Sequence, residues 1–186
     1  PGFARASDNV EFVNANSDVP FVDRWMFKKD LPVSVADTIY NLAVGDIYGP
    51  YKIDNTFNLS KVIESKQMPD SIQSKHILIR YAGSLRAASD VTRSKEDAEK
   101  LADSILAVVK RDKSKFEALA ASLSEDSSNK IKGGDLGYNP PGRMVPAFDQ
   151  FTIDNNAGSL GVVETDFGFH VVGVVDRKNI QRAIKV

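Results

Sequence analysis

Lys75-His76-Ile77-Leu78-Ile79-Arg80 reads as a β-strand, and the order of elements downstream of it decides the fold. Period-two alternation puts Ile77 and Ile79 on one face, His76 and Leu78 on the other. A second strand-like run, Phe167-Gly168-Phe169-His170-Val171-Val172-Gly173-Val174-Val175, carries the only other histidine of the chain. Between the two runs lies a glycine-rich loop, Lys132-Gly133-Gly134-Asp135-Leu136-Gly137. Ala82–Thr92 is a polar loop of small residues. Ser94, with Asp97 three residues on, then starts a helix over 95–110. That helix puts Ala98, Leu101, Ile105, Val108 and Val109 on one face. A second helix over 114–123 is expected to bury Phe116, Leu119 and Leu123. The acidic turn Ser124-Glu125-Asp126-Ser127-Ser128 precedes the glycine loop. Beyond that loop come a Pro-Pro segment within Tyr138–Gly142, a short helix over 146–151, and strands near 160–164 and 168–176. Strand, helices, glycine loop, strand is the order of an α+β domain.

The region upstream is less regular. Residues 1–20 are rich in Asn, Asp, Ser and Ala without a clear period and are expected as an extended arm. Residues 33–42 have rough helical spacing. Asp46–Tyr51 and Thr56–Ile63 read as short strands with Gly49-Pro50 and Asp54-Asn55 as breakers. The expected division is an arm plus an incomplete half-unit over 1–66, a linker over 67–74 around Met68-Pro69-Asp70, a domain over 75–178, and a C-terminal extension over 179–186. An internal echo links the two parts. Gly45-Asp46-Ile47-Tyr48-Gly49-Pro50-Tyr51 resembles Gly158-Ser159-Leu160-Gly161-Val162-Val163, one residue shorter. Beyond that gap the offset holds at 112, pairing Asp54 with Asp166, Phe57 with Phe169, Val62 with Val174 and Lys66 with Lys178. The first copy has Asn58 where the second has His170.

Composition sets limits on function. The 186 residues are 42% hydrophobic and 9% aromatic, ordinary for a globular protein. Twenty-four basic and 25 acidic residues give a net charge of −1, so no broad field draws in nucleic acid or anionic lipid. No apolar run approaches the length of about 18 residues needed to span a bilayer. No secretory leader opens the sequence, and its start at Pro1 is expected to mark an excised segment of a longer chain. The absence of cysteine removes disulfides, thiolate metal sites and cysteine nucleophiles, and fits a compartment where thiols are a liability.

The second half resembles a parvulin-type peptidyl-prolyl isomerase over about 75–178, a full domain of that family. Lys75-His76-Ile77-Leu78-Ile79 is similar to the family's first strand. Phe116-Glu117-Ala118-Leu119-Ala120 and Leu123-Ser124-Glu125-Asp126 resemble its second helix and acidic turn, and Gly133-Gly134-Asp135-Leu136-Gly137 its glycine loop. Met144 and Phe148 match positions lining the proline pocket. Thr165-Asp166-Phe167-Gly168-Phe169-His170 resembles the closing strand. The resemblance implies a small antiparallel sheet surrounded by helices, preceded by a partial unit of the same kind. It also implies His76, Asp126, Thr165 and His170 as catalytic, and Leu136, Met144, Phe148 and Phe167 as substrate-binding. No cofactor and no metal is implied. Three departures stand out: Val145 replaces a polar family residue, the loop after the first strand lacks the paired basic residues of phosphate-directed members (only Arg80, Arg86 and Arg93 are near), and the turn before Gly161 is one residue short. A half-unit followed by a full domain resembles periplasmic folding factors of bacteria, first the membrane-anchored PpiD-like type, then the SurA-like type. The implied partners are unfolded or nascent polypeptide segments containing proline, with no nucleic acid.

The chemistry expected of such residues is non-covalent. Rotation about an amide costs roughly 18–20 kcal/mol because conjugation is lost in the twisted state. A catalyst must grip the proline ring, desolvate the carbonyl and favour the twisted form. Two histidines bonded to each other fix one another's tautomers, and Thr165 and Asp126 extend that chain. Each assignment has a plainer rival: both histidines as satisfied core residues, Met144 and Phe148 as helix core, Asp126 as a turn cap. A metal pair is disfavoured because no ligand cluster accompanies the histidines. The glycine loop lacks the Lys-Ser/Thr of a phosphate-binding loop. The remaining alternative is a parvulin fold that binds apolar segments as a chaperone with little or no turnover.

Overall fold

The computed structural model describes residues 2–186, and they form two compact units. One runs up to Met68 and resumes at Gln181–Val186, and the other is Pro69–Ile180.

The first unit opens with helices α1 (Gly2–Arg5) and α2 (Asn9–Asn16), where the sequence suggests an extended arm. The signal is a cap rather than a period: the Asp8 carboxylate accepts from Glu11 N at 2.9 Å and starts α2. Helix α3 (Ala36–Tyr40) then leads into the antiparallel hairpin of β1 (Ile47–Ile53) and β2 (Thr56–Lys61). The core of this unit is Leu31, Val35, Ala36, Ile39, Val62 and Ile184. Its last member corrects the expected C-terminal extension. Ala183 and Ile184 are fully buried, and Met26 and Ile184 exchange both backbone hydrogen bonds, at 2.8 and 2.9 Å.

Strand β3 (Glu64–Ile79) contains the segment expected as a linker. Residues 67–74 are strand, with Met68 and Ile72 buried. Pro69 does not break it, because β4 pairs with β3 only from Ile72 onward, so on that side Pro69 owes no N–H to a ladder.

The second unit continues with α4 (Lys95–Arg111), α5 (Phe116–Leu123), β4 (Asp135–Asn139), α6 (Pro146–Asp154), β5 (Leu160–Thr165) and β6 (Gly168–Lys185). The sheet order is β4-β3-β6-β5, so the two histidine strands lie side by side in the centre. Ile77 and Ile79 of β3 and Phe169 and Val171 of β6 pack with Ala98, Ala102, Ile105 and Val109 of α4 and with Phe116 and Ala120 of α5. Helix α6 covers the other face, where Phe148 meets Val163 and Val172. Ser94 caps α4, accepting from Asp97 N at 3.1 Å. Two details differ from the expected faces. Ala102 rather than Leu101 is fully buried on α4, and on α5 Ala120 is buried while Leu123 is exposed, because the chain turns away at Ser124. Strand β4 overlaps the stretch read as a Pro-Pro loop, Tyr138 and Asn139 pairing with Gln73 and Ile72. Among the described residues no helix is long and apolar enough to cross a membrane.

The internal echo has a geometric counterpart. Gly45 N donates to Val62 O at 2.7 Å and Val62 N to Asp46 O at 3.1 Å; Gly158 N donates to Val174 O at 2.8 Å and Val174 N to Ser159 O at 3.0 Å. Ile53 pairs with Thr56 across one two-residue turn, and Thr165 with Gly168 across the other. The first hairpin shifts register between Tyr48 and Tyr51, whereas β5 pairs with β6 without a shift. The extra residue of the first copy is therefore a β-bulge. The shorter turn leaves the ladder regular through Gly161, which faces Val172. A Cβ there would come within 2.5 Å of the Phe151 ring, so glycine lets α6 close on the sheet.

Candidate active site

The central strands bring His76 and His170 together, Nδ1 to Nδ1, at 2.9 Å, with the rings stacked 5.1 Å apart. Both are 5% exposed. A buried imidazole needs partners for both nitrogens, and each has them. His170 Nε2 lies 2.8 Å from Thr165 Oγ1, and His76 Nε2 lies 2.9 Å from Asp126 Oδ2. The result is one unbroken chain: Thr165, His170, His76, Asp126.

Local sequence explains how the ends arrive. Thr165 closes β5 just before the two-residue turn, and Phe167 N donates back to its Oγ1 at 3.1 Å. Asp126 is delivered by a segment that runs beside β3. Leu78 N donates to Ser124 Oγ at 3.2 Å, Glu125 N to Leu78 O at 2.9 Å, and Arg80 N to Glu125 Oε2 at 2.6 Å. Behind His76, Gly134 is left-handed with φ of 81°, and a Cβ there would lie 2.2 Å from His76 O. The glycine loop thus passes close against the His76 backbone, whose N–H donates to Gly134 O at 3.0 Å.

Asp126 is saturated. Oδ1 accepts from Ser128 N at 3.0 Å and Ser128 Oγ at 2.6 Å. Oδ2 meets His76 and Asn129 Nδ2, each at 2.9 Å. The His76 hydrogen bond, followed by those from Ser128, holds its carboxyl far below the usual range. It is a fixed negative charge, not a base. Burial, followed by the charge on His76, pushes His170 down from 6.5 to about 3, so its ring is neutral at pH 7. These states set the direction of the chain. His76 donates its Nε2–H hydrogen bond to the carboxylate. With His76 neutral, its Nδ1 accepts from His170, and His170 Nε2 accepts the Thr165 hydroxyl. With His76 cationic, both later bonds reverse and the Thr165 hydrogen is released to point elsewhere.

Beside this chain is an apolar wall. The Phe148 ring stands edge-on to both imidazoles, 5.9 Å from His76 and 5.7 Å from His170. Leu136 and Met144 pack on the same cluster. Phe167 is half-buried at the turn, with the Arg86 guanidinium 5.7 Å from its ring centre. Of the eight sequence candidates, His76, His170, Asp126 and Thr165 form one hydrogen-bonded chain and Leu136, Met144 and Phe148 one apolar cluster. Phe167 is tied in through its backbone. Sequence reading missed Asn129 and Ser128. Asp-x-Ser is a common local turn, which signals Ser128, whereas nothing in the sequence marks Asn129.

The description "PPIC-type PPIASE domain" matches residues 57–178, more than half of the chain. The chain belongs to the PPIC-type peptidyl-prolyl isomerase family. Its second unit is a parvulin-type isomerase domain in fold and class. Among curated relatives, "Chaperone SurA" of Chromohalobacter salexigens is 32% identical over 83% of this chain and 35% of that protein. "Chaperone SurA" of Pseudomonas syringae is 30% identical over 83% of this chain and 36% of its own. The chain spans about a third of the length of these relatives. The solved PPIase domain of TbPar42 superposes with a TM-score of 0.52 at 28% identity, over 56% of this chain and 99% of that one. Peptidyl-prolyl isomerase ESS1 from Candida albicans, at 24% identity and a TM-score of 0.53 over 57% of this chain and 63% of its own, shares the fold.

Proposed function

We propose that the PPIC-type domain turns over X–Pro bonds of unfolded or folding polypeptides at the Thr165–His170–His76–Asp126 chain, without covalent chemistry. The observation that carries this is the 2.9 Å Nδ1–Nδ1 contact, buried beside an apolar wall. Leu136, Met144 and Phe148 receive the proline ring, and Phe167 covers its rim. The buried face strips water from the amide, so hydrogen bonds to the twisted form count for more than they would in bulk water. Asp126 and His76 set the direction of the chain. The Thr165 hydroxyl at its far end is the group that serves the reacting amide, because it alone among the four can redirect its hydrogen as the nitrogen turns pyramidal. No nucleophile is required.

The clients are proline-containing segments of non-native proteins, a reading supported by relatives named chaperones. We place the parent chain in the cell envelope, in the periplasm of a bacterium. Inner-membrane anchoring of that parent rests only on the resemblance of its half-unit and full-domain arrangement to the PpiD-like type. The test of turnover is exchange NMR on short X–Pro peptides with the intact chain. Catalysed cis–trans exchange that falls at least tenfold in His170→Ala is expected. Wild-type exchange in that variant would remove the histidine chain from catalysis, and binding without exchange would leave a chaperone surface.

A further inference from the structure

Asn129 is 4% exposed and lies against the His76–Asp126 pair. Its Nδ2 is 2.9 Å from Asp126 Oδ2 and 3.0 Å from His76 Nε2, so two N–H donors 3.0 Å apart converge on one carboxylate oxygen. Its backbone carbonyl accepts from Gly134 N at 3.1 Å and Lys132 N at 2.8 Å, and Gly134 in turn accepts from His76 N. Asn129 therefore brackets His76, through the ring at one end and through the glycine loop at the other. Its Oδ1 is buried and meets no donor among the described residues. Turning the amide over would bring Oδ1 within 3.0 Å of His76 Nε2 but would also set it 2.9 Å from the Asp126 carboxylate oxygen, two acceptors face to face, and leave Nδ2 in the place without a partner. A buried carbonyl without a donor costs stability. An apolar side chain of the same shape would avoid that cost and give up in exchange only the bond to Asp126, so that bond is what asparagine supplies here.

We propose that Asn129 is a positioning residue of the isomerase site. Its side-chain N–H pins Asp126 Oδ2 in line with His76 Nε2, which keeps the proton on that nitrogen and fixes the direction of the whole chain out to Thr165. Ser128 holds only the other carboxylate oxygen. Without Asn129 the carboxylate is free to turn about its own Cβ–Cγ bond, and His76 Nε2 loses its fixed acceptor. This inference rests on the proposed isomerase activity of the site.

The experiment uses the whole chain with Asn129→Leu, an apolar near-isostere, and with Asn129→Ala. Three readouts are taken: exchange NMR turnover on an X–Pro peptide, the ¹⁵N shifts of the His76 ring, and the urea midpoint. The expected result is about a tenfold loss of kcat with KM little changed. The His76 ¹⁵N pattern should move from a single Nε2–H form toward a mixture of tautomers, and the urea midpoint of the Leu variant should be equal to or above wild type. In an Asp126→Ala background the Asn129 substitutions should cost no further turnover. The inference is overturned if Asn129→Leu keeps wild-type turnover and His76 shifts. It is equally overturned if turnover and midpoint fall together, or if the loss persists undiminished beside Asp126→Ala. If wild type itself shows no catalysed exchange, the isomerase reading fails, and the His76 shifts still decide whether Asn129 sets the tautomer.

Discussion

Lowering the pH from 7.5 to 5 should destabilise the second unit through His170 alone by about 2 kcal/mol. An unfolded histidine titrates near 6.5, whereas in the folded state burial and the His76 charge hold His170 to about 3. Between those values the unfolded chain binds a proton that the folded chain refuses, so stability rises with pH across the window and falls on acidification. At pH 5 the unfolded ring is almost fully protonated and the folded one almost wholly neutral. The roughly 1.5 pH units travelled below 6.5, at about 1.4 kcal/mol each, account for the 2 kcal/mol. Asp126 adds little there, because it is ionised in both states until the pH approaches 3.8, and its own contribution is lost only below that. The assay is urea unfolding followed by the amide signals of Ile77 and Val171, in the wild type and in His170→Gln, at both pH values. The chain has only two histidines, so the variant removes the His170 titration and leaves the His76–Asp126 pair in place. The wild type should lose about 2 kcal/mol and the variant less than half of that. Parallel losses in the two proteins would show that His170 titrates normally in the fold, and the buried-neutral account of the histidine chain would be wrong.

Single contacts give further expected outcomes. Gly134→Ala should cost about 3 kcal/mol or more, since the residue combines a left-handed backbone with a 2.2 Å approach to His76 O; chemical denaturation measures it, and a loss below about 1 kcal/mol would contradict the tight approach. Thr165→Val keeps shape but strands His170 Nε2 and Phe167 N. It should lower turnover on an X–Pro peptide severalfold or more and cost about 1–2 kcal/mol of stability. Unchanged exchange would place the hydroxyl outside the reaction. Ile184→Ala should destabilise the first unit by about 2–5 kcal/mol. Fluorescence of the sole tryptophan, Trp25, reports it, since Lys185 lies 5.0 Å from that ring. An unshifted Trp25 unfolding curve would show that Gln181–Val186 are dispensable there.

The readable parts of the fold are those where neighbours in sequence set the structure. Alternation places His76 opposite Ile77, helical spacing finds α4 and α5, and Ser94 announces its helix. The unreadable parts depend on distant partners. Pro69 looks like a breaker until the short reach of β4 shows that the ladder on that side does not need its N–H. Ala183 and Ile184 look like a tail until Met26, far back in the sequence, pairs with Ile184. At the site, residue type and order mark the four polar candidates, but not their saturation. That Asp126 has no free lone pair depends on Ser128 and Asn129 together, and Asn129 is one undistinguished amide in a Ser-rich turn. Leu123 is a similar case. Its spacing suits the buried face, and only the exit of the chain at Ser124 turns it outward.

The first unit is assembled from two separate stretches of the chain, with the whole of the second unit inserted between Met68 and Gln181. During synthesis the usual order, N-terminal portion first, is therefore inverted. All of the isomerase domain has left the ribosome before Gln181–Val186 arrive to supply Ile184 to the earlier unit's core. Until then Leu31, Val35, Ile39 and Val62 wait with an apolar side unsealed. A nascent chain arrested just after Ile180 clears the ribosome should contain a protease-resistant isomerase domain and a protease-sensitive front end, and release of Gln181–Val186 should protect both.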